Sequence, residues 1–235
     1  AVVMLHGTGS NRDEAGMGYA MAAPRMAADG IATLRIDFMG NGDSTASYTD
    51  YNYTSAVIDA KAAADYLAGL EAVDADNLGV MGWSQGGTDA LLCAARAADV
   101  FTSVVTWAGA PDLSDMLTDE LYEQAKANGY FVMDFDWREP LNVSLQWCED
   151  VKNTDVLGEF EAGYTGPVLA IAGKEDTTVD PEWSNKIVAA SKNPASKTCF
   201  IEGMDHTFNV FAEEDLHSLY QAVDETGKFL SETLR

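Results

Sequence analysis

Gly82-Trp83-Ser84-Gln85-Gly86 is the stretch on which the reading of this chain turns. A short apolar run, Leu78 to Met81, precedes it, and an alanine-rich helical pattern, Thr88 to Ala98, follows it. Strand, sharp turn with a serine at the tip, then helix is the setting of a nucleophile elbow. The two glycines suit that setting: the strand and helix backbones pass close together, and a side chain at either position would collide with them. The serine is thereby lifted above the sheet edge. Alone, the five residues are weak evidence. With Gly and Ser each at roughly 7% of residues, Gly-x-Ser-x-Gly arises by chance about once in a dozen chains of this length.

Outward from the elbow, strand and helix signals alternate. Val2 to Leu5 reads as a buried strand that ends in His6-Gly7-Thr8-Gly9-Ser10. Gly18 to Asp29 reads as a helix stopped by Gly30, and Ile31 to Phe38 as the next strand, running into the turn Asp37 to Ser44. Thr54 to Leu70 places Val57, Ala60, Ala64 and Leu67 on one helical face. After the elbow helix, Gln85 to Ala98, come a strand at Ser103 to Ala108 and another at Val168 to Ala172. A helix follows at Pro181 to Ser191, with Asp180 as its cap, then a last strand at Thr198 to Ile201. The closing helix is Leu216 to Leu234, with Leu216, Leu219, Tyr220, Val223, Leu230 and Leu234 on its apolar face. Continuous apolar strands alternating with helices predict an α/β domain over 1–235, with a mostly parallel sheet covered on both faces. Residues 112–163 break the rhythm. They are too long for one crossover helix and are rich in aromatic side chains, the pattern of a lid or binding insertion. Within them, Tyr130 to Trp137 alternates as a short hairpin arm would.

Composition bounds the partners. Of 235 residues, 14 are Lys or Arg and 38 are Asp or Glu, a net charge of −24. Nucleic acid and anionic membrane surfaces are disfavoured; the charge predicts a self-repelling surface, with adaptation to high salt as the sharper reading. Hydrophobic residues make up 47%, enough for a buried core. No apolar run approaches the roughly 20 residues of a membrane span. The first residues already read as strand, which suggests a sequence clipped upstream. Three cysteines without close spacing fit free thiols and favour a reducing, cytoplasmic compartment. A homodimer is compatible with the sequence.

A serine hydroxyl needs a base to take its proton. Of the three histidines, His217 opens the last helix and reads as a surface residue, and His6 ends the first strand. His206 follows the last strand, in Glu202-Gly203-Met204-Asp205-His206. In a parallel sheet the carboxyl ends of the strands share one edge, where ligands bind, and Ser84 stands on the same edge. His206 is therefore the expected base. The acid that orients it should come from Glu175, Asp176 or Asp180, in the loop after the strand at Val168. Asp176 is preferred, because Asp180 reads as a helix cap. The order Ser84, Asp176, His206 is that of the α/β-hydrolases. The oxyanion needs donors already in place. The Gln85 N–H, at a helix start, is one; the Thr8 N–H is expected to be the other, with Gly7 as runner-up and His6 shaping the loop. The Gly40-x-Gly42 turn is too short for a dinucleotide fingerprint, and no cluster has metal-ligand spacing, so neither metal nor cofactor is expected.

These pieces together resemble an α/β-hydrolase serine esterase: the His6-Gly7-x-Gly9 loop, the Asp37-x-x-Gly40-x-Gly42-x-Ser44 turn, the elbow, the Asp176 loop and the Asp205-His206 loop. The chain is similar in particular to bacterial cinnamoyl (feruloyl) esterases, through Gly16 to Tyr19, Gly30 to Arg35 and the insertion from Gly129-Tyr130-Phe131. That resemblance implies two further strands before Val2, absent here, and a lid between the sixth and seventh strands that holds an aromatic acyl group. The insertion departs from the family between Asp134 and Arg138 and is longer. Tyr130, Phe131, Phe135, Trp137 and Trp147 are the expected substrate-binding aromatics. The expected function is hydrolysis of small aryl or hydroxycinnamoyl esters. A peptidase or thioesterase using the same residues is an alternative, and a catalytically silent binding module is a third reading.

Overall fold

The computed structural model describes residues 1–234; Arg235, the last residue of the expected domain, lies outside them. Six parallel strands form the central sheet in the order β2-β1-β3-β4-β7-β8. They are β1 (Val2–Leu5), β2 (Thr33–Arg35), β3 (Gly79–Trp83), β4 (Ser103–Trp107), β7 (Val168–Gly173) and β8 (Lys197–Ile201). The expected strand at Ile31 to Phe38 is only three residues long, because β2 is the sheet edge and pairs with β1 alone through Val2↔Thr33 to Met4↔Arg35.

Side-chain alternation along these strands divides the core in two. Val3, Leu5, Val80, Val104, Val168 and Ala170 face one layer, which contains α2 (Tyr53–Ala68) and α3 (Gln85–Arg96). Met4, Met81, Trp83, Val105, Trp107 and Ile171 face the other, which contains α1 (Gly18–Ala28) and α8 (His217–Thr233). Both faces being covered explains why the strands read as unbroken apolar runs. Every residue of α3 from Gln85 to Ala94 is buried. On α8 the buried apolar stripe is Leu219, Ala222, Val223, Phe229 and Leu230; of the others expected there, Leu216 and Leu234 are partly covered and pack against the same core, and Tyr220 is partly covered. Tyr220 instead lies under the Arg25 guanidinium, 3.6 Å from its ring centroid.

The insertion has a fold of its own between β4 and β7. It consists of α4 (Asp119–Asn128), an antiparallel hairpin of β5 (Tyr130–Met133) and β6 (Leu141–Ser144), then α5 (Leu145–Asn153) and α6 (Val156–Gly163). The hairpin pairs Tyr130↔Ser144 and Met133↔Leu141, so the expected arm is one strand plus the turn beyond it. Phe131, Leu141, Val143 and Trp147 are buried and join the core layer that contains α3. α7 (Glu182–Ala190) follows β7, and the Asp180 carboxylate accepts the Glu182 N–H near its start.

Candidate active site

Strand pairing sets the site. Leu5 pairs with Gly82, Trp83 with Trp107 and Gly173 with Ile201. The loops after β1, β3, β7 and β8 therefore open onto one edge of the sheet. Ser84 sits at the tip of the β3–α3 turn with φ 56° and ψ −121°, a conformation that costs a non-glycine residue on the order of 1–3 kcal/mol. The turn is held from both sides. Ser84 N–H donates to the Trp107 carbonyl at 2.9 Å, and the Ser84 carbonyl accepts from Gly87 and Ala110. A Cβ on Gly82 would run into the Gly86 carbonyl, and one on Gly86 into the Leu5 carbonyl. The two elbow glycines are thus required by backbone contact, with no room for alanine.

The Ser84 hydroxyl meets an imidazole, and the imidazole a carboxylate. His206 Nε2 lies 3.1 Å from Ser84 Oγ, and His206 Nδ1 lies 2.8 Å from Asp176 Oδ2. A carboxylate only accepts, so the imidazole proton sits on Nδ1 and Nε2 is left free to accept from the serine. The Asp176 side chain is fully covered, and its other oxygen accepts the Thr178 and Val179 N–H groups at 2.8 and 2.9 Å. The loop bearing His206 is pinned from below. Trp83 Nε1–H donates to the His206 carbonyl at 3.0 Å, and Phe208 packs on Trp83 at 4.6 Å between ring centroids. Asn209 donates through its amide to Gly203, Glu213 and Ser218, while Asp205 Oδ1 accepts from Thr207 and Asn209. Neither Trp83 nor Asn209 was singled out in the sequence, where nothing local distinguishes them from core residues.

Of the two candidate donors in the first loop, Gly7 is occupied: its N–H donates to Glu14 Oε1. The Thr8 and Gln85 N–H groups donate to no other group among the described residues, and both Thr8 and Ser84 line the same cavity. Glu14 also accepts from Ser10 Oγ at 2.8 Å and from the Ala15 N–H at 2.9 Å. Its backbone is left-handed in φ, at 60°, and burial pushes its carboxyl above the usual range against the three hydrogen bonds that favour the charge. No sequence cue marks Glu14, since its role follows from the loop folding back on itself. His6 is buried; its Nε2 accepts the Phe38 N–H and its Nδ1–H donates to the Gly7 carbonyl at 2.8 Å. Burial lowers its pKa to about 4, so it remains neutral and braces the loop away from the reacting groups. His217 is exposed at the start of α8.

A cavity of about 1090 Å³ opens above Ser84 and His206. Phe135 and Trp137, both from the β5–β6 turn, line it with Leu113, Met116, Trp183 and Phe211. The other three expected substrate-binding aromatics are not in its wall. Phe131 and Trp147 are 1% exposed and pack into the core layer shared with α3, and Tyr130 points to solvent. The reason is the pleat of β5: successive side chains alternate, so Phe131 turns inward while its neighbours Tyr130 and Val132 turn out. No Lys or Arg lines the cavity among the described residues, whereas Asp112, Asp115 and Asp180 do. Also among them, no group of three or more His, Cys, Asp or Glu side chains could hold a metal ion, and no helix is long and apolar enough to cross a membrane.

With this geometry in view, the model of the prolyl oligopeptidase family matches residues 19–231. No curated protein matches the chain in sequence. Among solved structures, Est1E from Butyrivibrio proteoclasticus with ferulic acid bound superposes with a TM-score of 0.77 at 23% identity, over 99% of this chain and 88% of that one. The monoacylglycerol lipase of Paleococcus ferrophilus gives 0.77 at 15% identity, over 99% and 94%. DcsB in complex with its substrate analogue gives 0.80 at 17%, over 99% and 90%. Likeness at these identities establishes the α/β-hydrolase fold.

Proposed function

The chain belongs to the prolyl oligopeptidase family, hydrolases of the α/β-hydrolase fold, and from that premise we propose that it is a serine carboxylic ester hydrolase acting through an acyl-enzyme, with aryl or hydroxycinnamoyl esters as substrates. The observation that carries the reading is the continuous hydrogen-bonded path from Ser84 Oγ through His206 to Asp176, at the base of a cavity with unoccupied N–H donors beside it. In the acylation step, Ser84 Oγ forms a bond to the ester carbonyl carbon as its proton passes to His206 Nε2. Negative charge then collects on the former carbonyl oxygen, where the Thr8 and Gln85 N–H groups stabilise it more than they do the ground state. The bond from carbon to the leaving oxygen breaks as His206 returns the proton to the departing alcohol. Water repeats the sequence in reverse: His206 takes its proton, its oxygen adds to the acyl carbon, and the acid leaves as Ser84 regains its hydrogen. Asp176 stays ionised and stabilises the transient imidazolium.

The acyl preference rests on Phe135 and Trp137, whose rings meet at 5.2 Å in a T-shaped arrangement at the cavity wall, and on the ferulic acid held by the structurally similar Est1E. A flat conjugated acid suits such a slot. A peptidase is the second reading, favoured by the family itself, and Asp112, Asp115 and Asp180 at the cavity could receive a peptide's amino terminus. A thioesterase of acyl-CoA fits less well, since a polyphosphate would meet carboxylates and no cation. The test is a panel of nitrophenyl esters, methyl hydroxycinnamates, acyl-CoA and dipeptide amides, with wild type and Ser84→Ala. Ester turnover at least 100-fold above the other classes, lost in Ser84→Ala by roughly 10⁴-fold or more, is expected. Activity retained in Ser84→Ala would remove the mechanism; equal rates on acetate and cinnamate esters would remove only the aryl preference.

A further inference from the structure

The residue after the nucleophile does more than offer its N–H. Thr8 Oγ1–H donates to Gln85 Oε1 at 2.5 Å, and Gln85 Nε2–H donates to the Tyr51 hydroxyl at 2.5 Å. The Tyr51 O–H in turn donates to Asp89 Oδ2 at 2.7 Å. Gln85, Tyr51 and Asp89 are 1%, 3% and 0% exposed. The path starts on the β1–α1 loop, crosses the first turn of α3, reaches the segment before α2 and ends one turn further along α3. It joins the two residues whose N–H groups are the proposed oxyanion donors, and it ties both to the buried layer beneath. We propose that the Gln85 side chain is a positioning residue: by clamping Thr8 to Tyr51 and Asp89 it fixes the spacing of the two oxyanion donors.

Physical necessity favours this assignment over accident. The neighbours of Thr8 are held, Gly7 by Glu14 and by the Ser10 N–H and Gly9 by Arg138, but among the described residues Thr8 itself hydrogen-bonds only through its hydroxyl. A donor that drifts by a few tenths of an ångström loses much of its benefit to a developing oxyanion, because that benefit depends on preorganisation. The path also has a defined direction. With the Tyr51 hydroxyl donating to Asp89 Oδ2, Tyr51 accepts from the Gln85 amide nitrogen, which turns the Gln85 oxygen toward Thr8. Asp89 Oδ1 is buried with no partner among the described residues, and burial pushes the carboxyl to about 8.

This inference rests on the ester-hydrolase reading. The experiment compares Gln85→Met, Thr8→Val, Thr8→Ser and Tyr51→Phe on one nitrophenyl ester, measuring kcat, KM and the affinity of a trifluoromethyl ketone that forms a tetrahedral oxyanion on Ser84. Gln85→Met and Thr8→Val keep the backbone N–H groups and cut the clamp. The expected result is a loss of about 10-fold in kcat with KM within twofold, and an equal loss of ketone affinity. Thr8→Ser, which keeps the hydroxyl, should return to within threefold of wild type. Tyr51→Phe should lose less than Gln85→Met, and Gln85→Met combined with Thr8→Val no more than either alone. Should Gln85→Met fail to fold, Thr8→Val and Tyr51→Phe carry the same comparison. Folded variants with unchanged kcat and ketone affinity would overturn the proposal, as would losses that fall on KM or track melting temperature alone. A wild-type protein that neither hydrolyses the ester nor binds the ketone would instead overturn the underlying ester-hydrolase reading.

Discussion

At the scale of single residues, two buried titratable groups give this protein a pH signature. Asp89 has an ordinary value of 3.8, raised by burial to about 8 in the fold. Its contribution to stability is complete below 3.8 and is lost as pH rises toward 8. His6 runs the other way. Burial lowers it from 6.5 to about 4, so its contribution is present above 6.5 and is lost as pH falls toward 4. The two oppose each other between pH 4 and 6.5, whereas below pH 8 the Asp89 contribution is opposed by the amino terminus, which burial lowers from 8.0. Between pH 6.5 and about 8 wild type should lose roughly 5 °C of melting temperature that Asp89→Asn does not lose, from a slope of at most ~1.4 kcal/mol per pH unit. Calorimetry of both proteins across the window checks this; parallel curves would show that Asp89 does not change its charge there. Ser84, Asp176 and His206 were legible because each closes or follows a strand whose apolar run is unmistakable. Glu14 and the Gln85–Tyr51–Asp89 path were not. Their partners lie 7, 34 and 38 residues apart, and only the folded loops bring them together.

At the scale of elements, the turn of the β5–β6 hairpin puts Phe135 and Trp137 into the cavity wall. That turn is anchored by one side chain. Arg138 Nη1–H donates to the Gly9 carbonyl and lies 3.2 Å from Asn41 Oδ1, while its guanidinium sits 5.8 Å from the Phe135 ring centroid. Arg138 therefore fastens Phe135 and Trp137 over the loop that carries Thr8. Arg138→Met should leave the rate on a nitrophenyl acetate within about threefold, and lower kcat/KM on methyl ferulate by about 10-fold, since one lost charge-assisted bond is worth ~1.5–3 kcal/mol. Equal changes on both esters would deny the hairpin turn a part in acyl selection. The sequence pointed to this region but not to its arrangement. Aromatic content marks an insertion, whereas the register of β5 on β6 decides which rings face inward, and register is a long-range property. The alternation of Phe131, Leu141 and Val143 with polar or exposed neighbours was the available signal, and it places Phe131 in the core.

At the scale of the whole molecule, one sheet edge gathers everything the chemistry needs. Ser84, the proposed nucleophile, follows β3, Asp176 follows β7, His206 follows β8 and Thr8 follows β1, so four separate stretches meet only when the parallel sheet forms. The net charge of −24 and a cavity lined by no Lys or Arg among the described residues act in the same direction, disfavouring anionic substrates at long range and at contact. Fold class followed from alternating strand and helix signals, and chain order tied the site to it. The central claim is that Ser84 carries the acyl group. It is tested most directly by acid-quenching the protein during turnover of a nitrophenyl ester and mapping the added mass. One acyl group is expected on the peptide containing Ser84, absent in Ser84→Ala and released on further incubation with water. Turnover without an adduct on that peptide, or with the adduct on another residue, would contradict it.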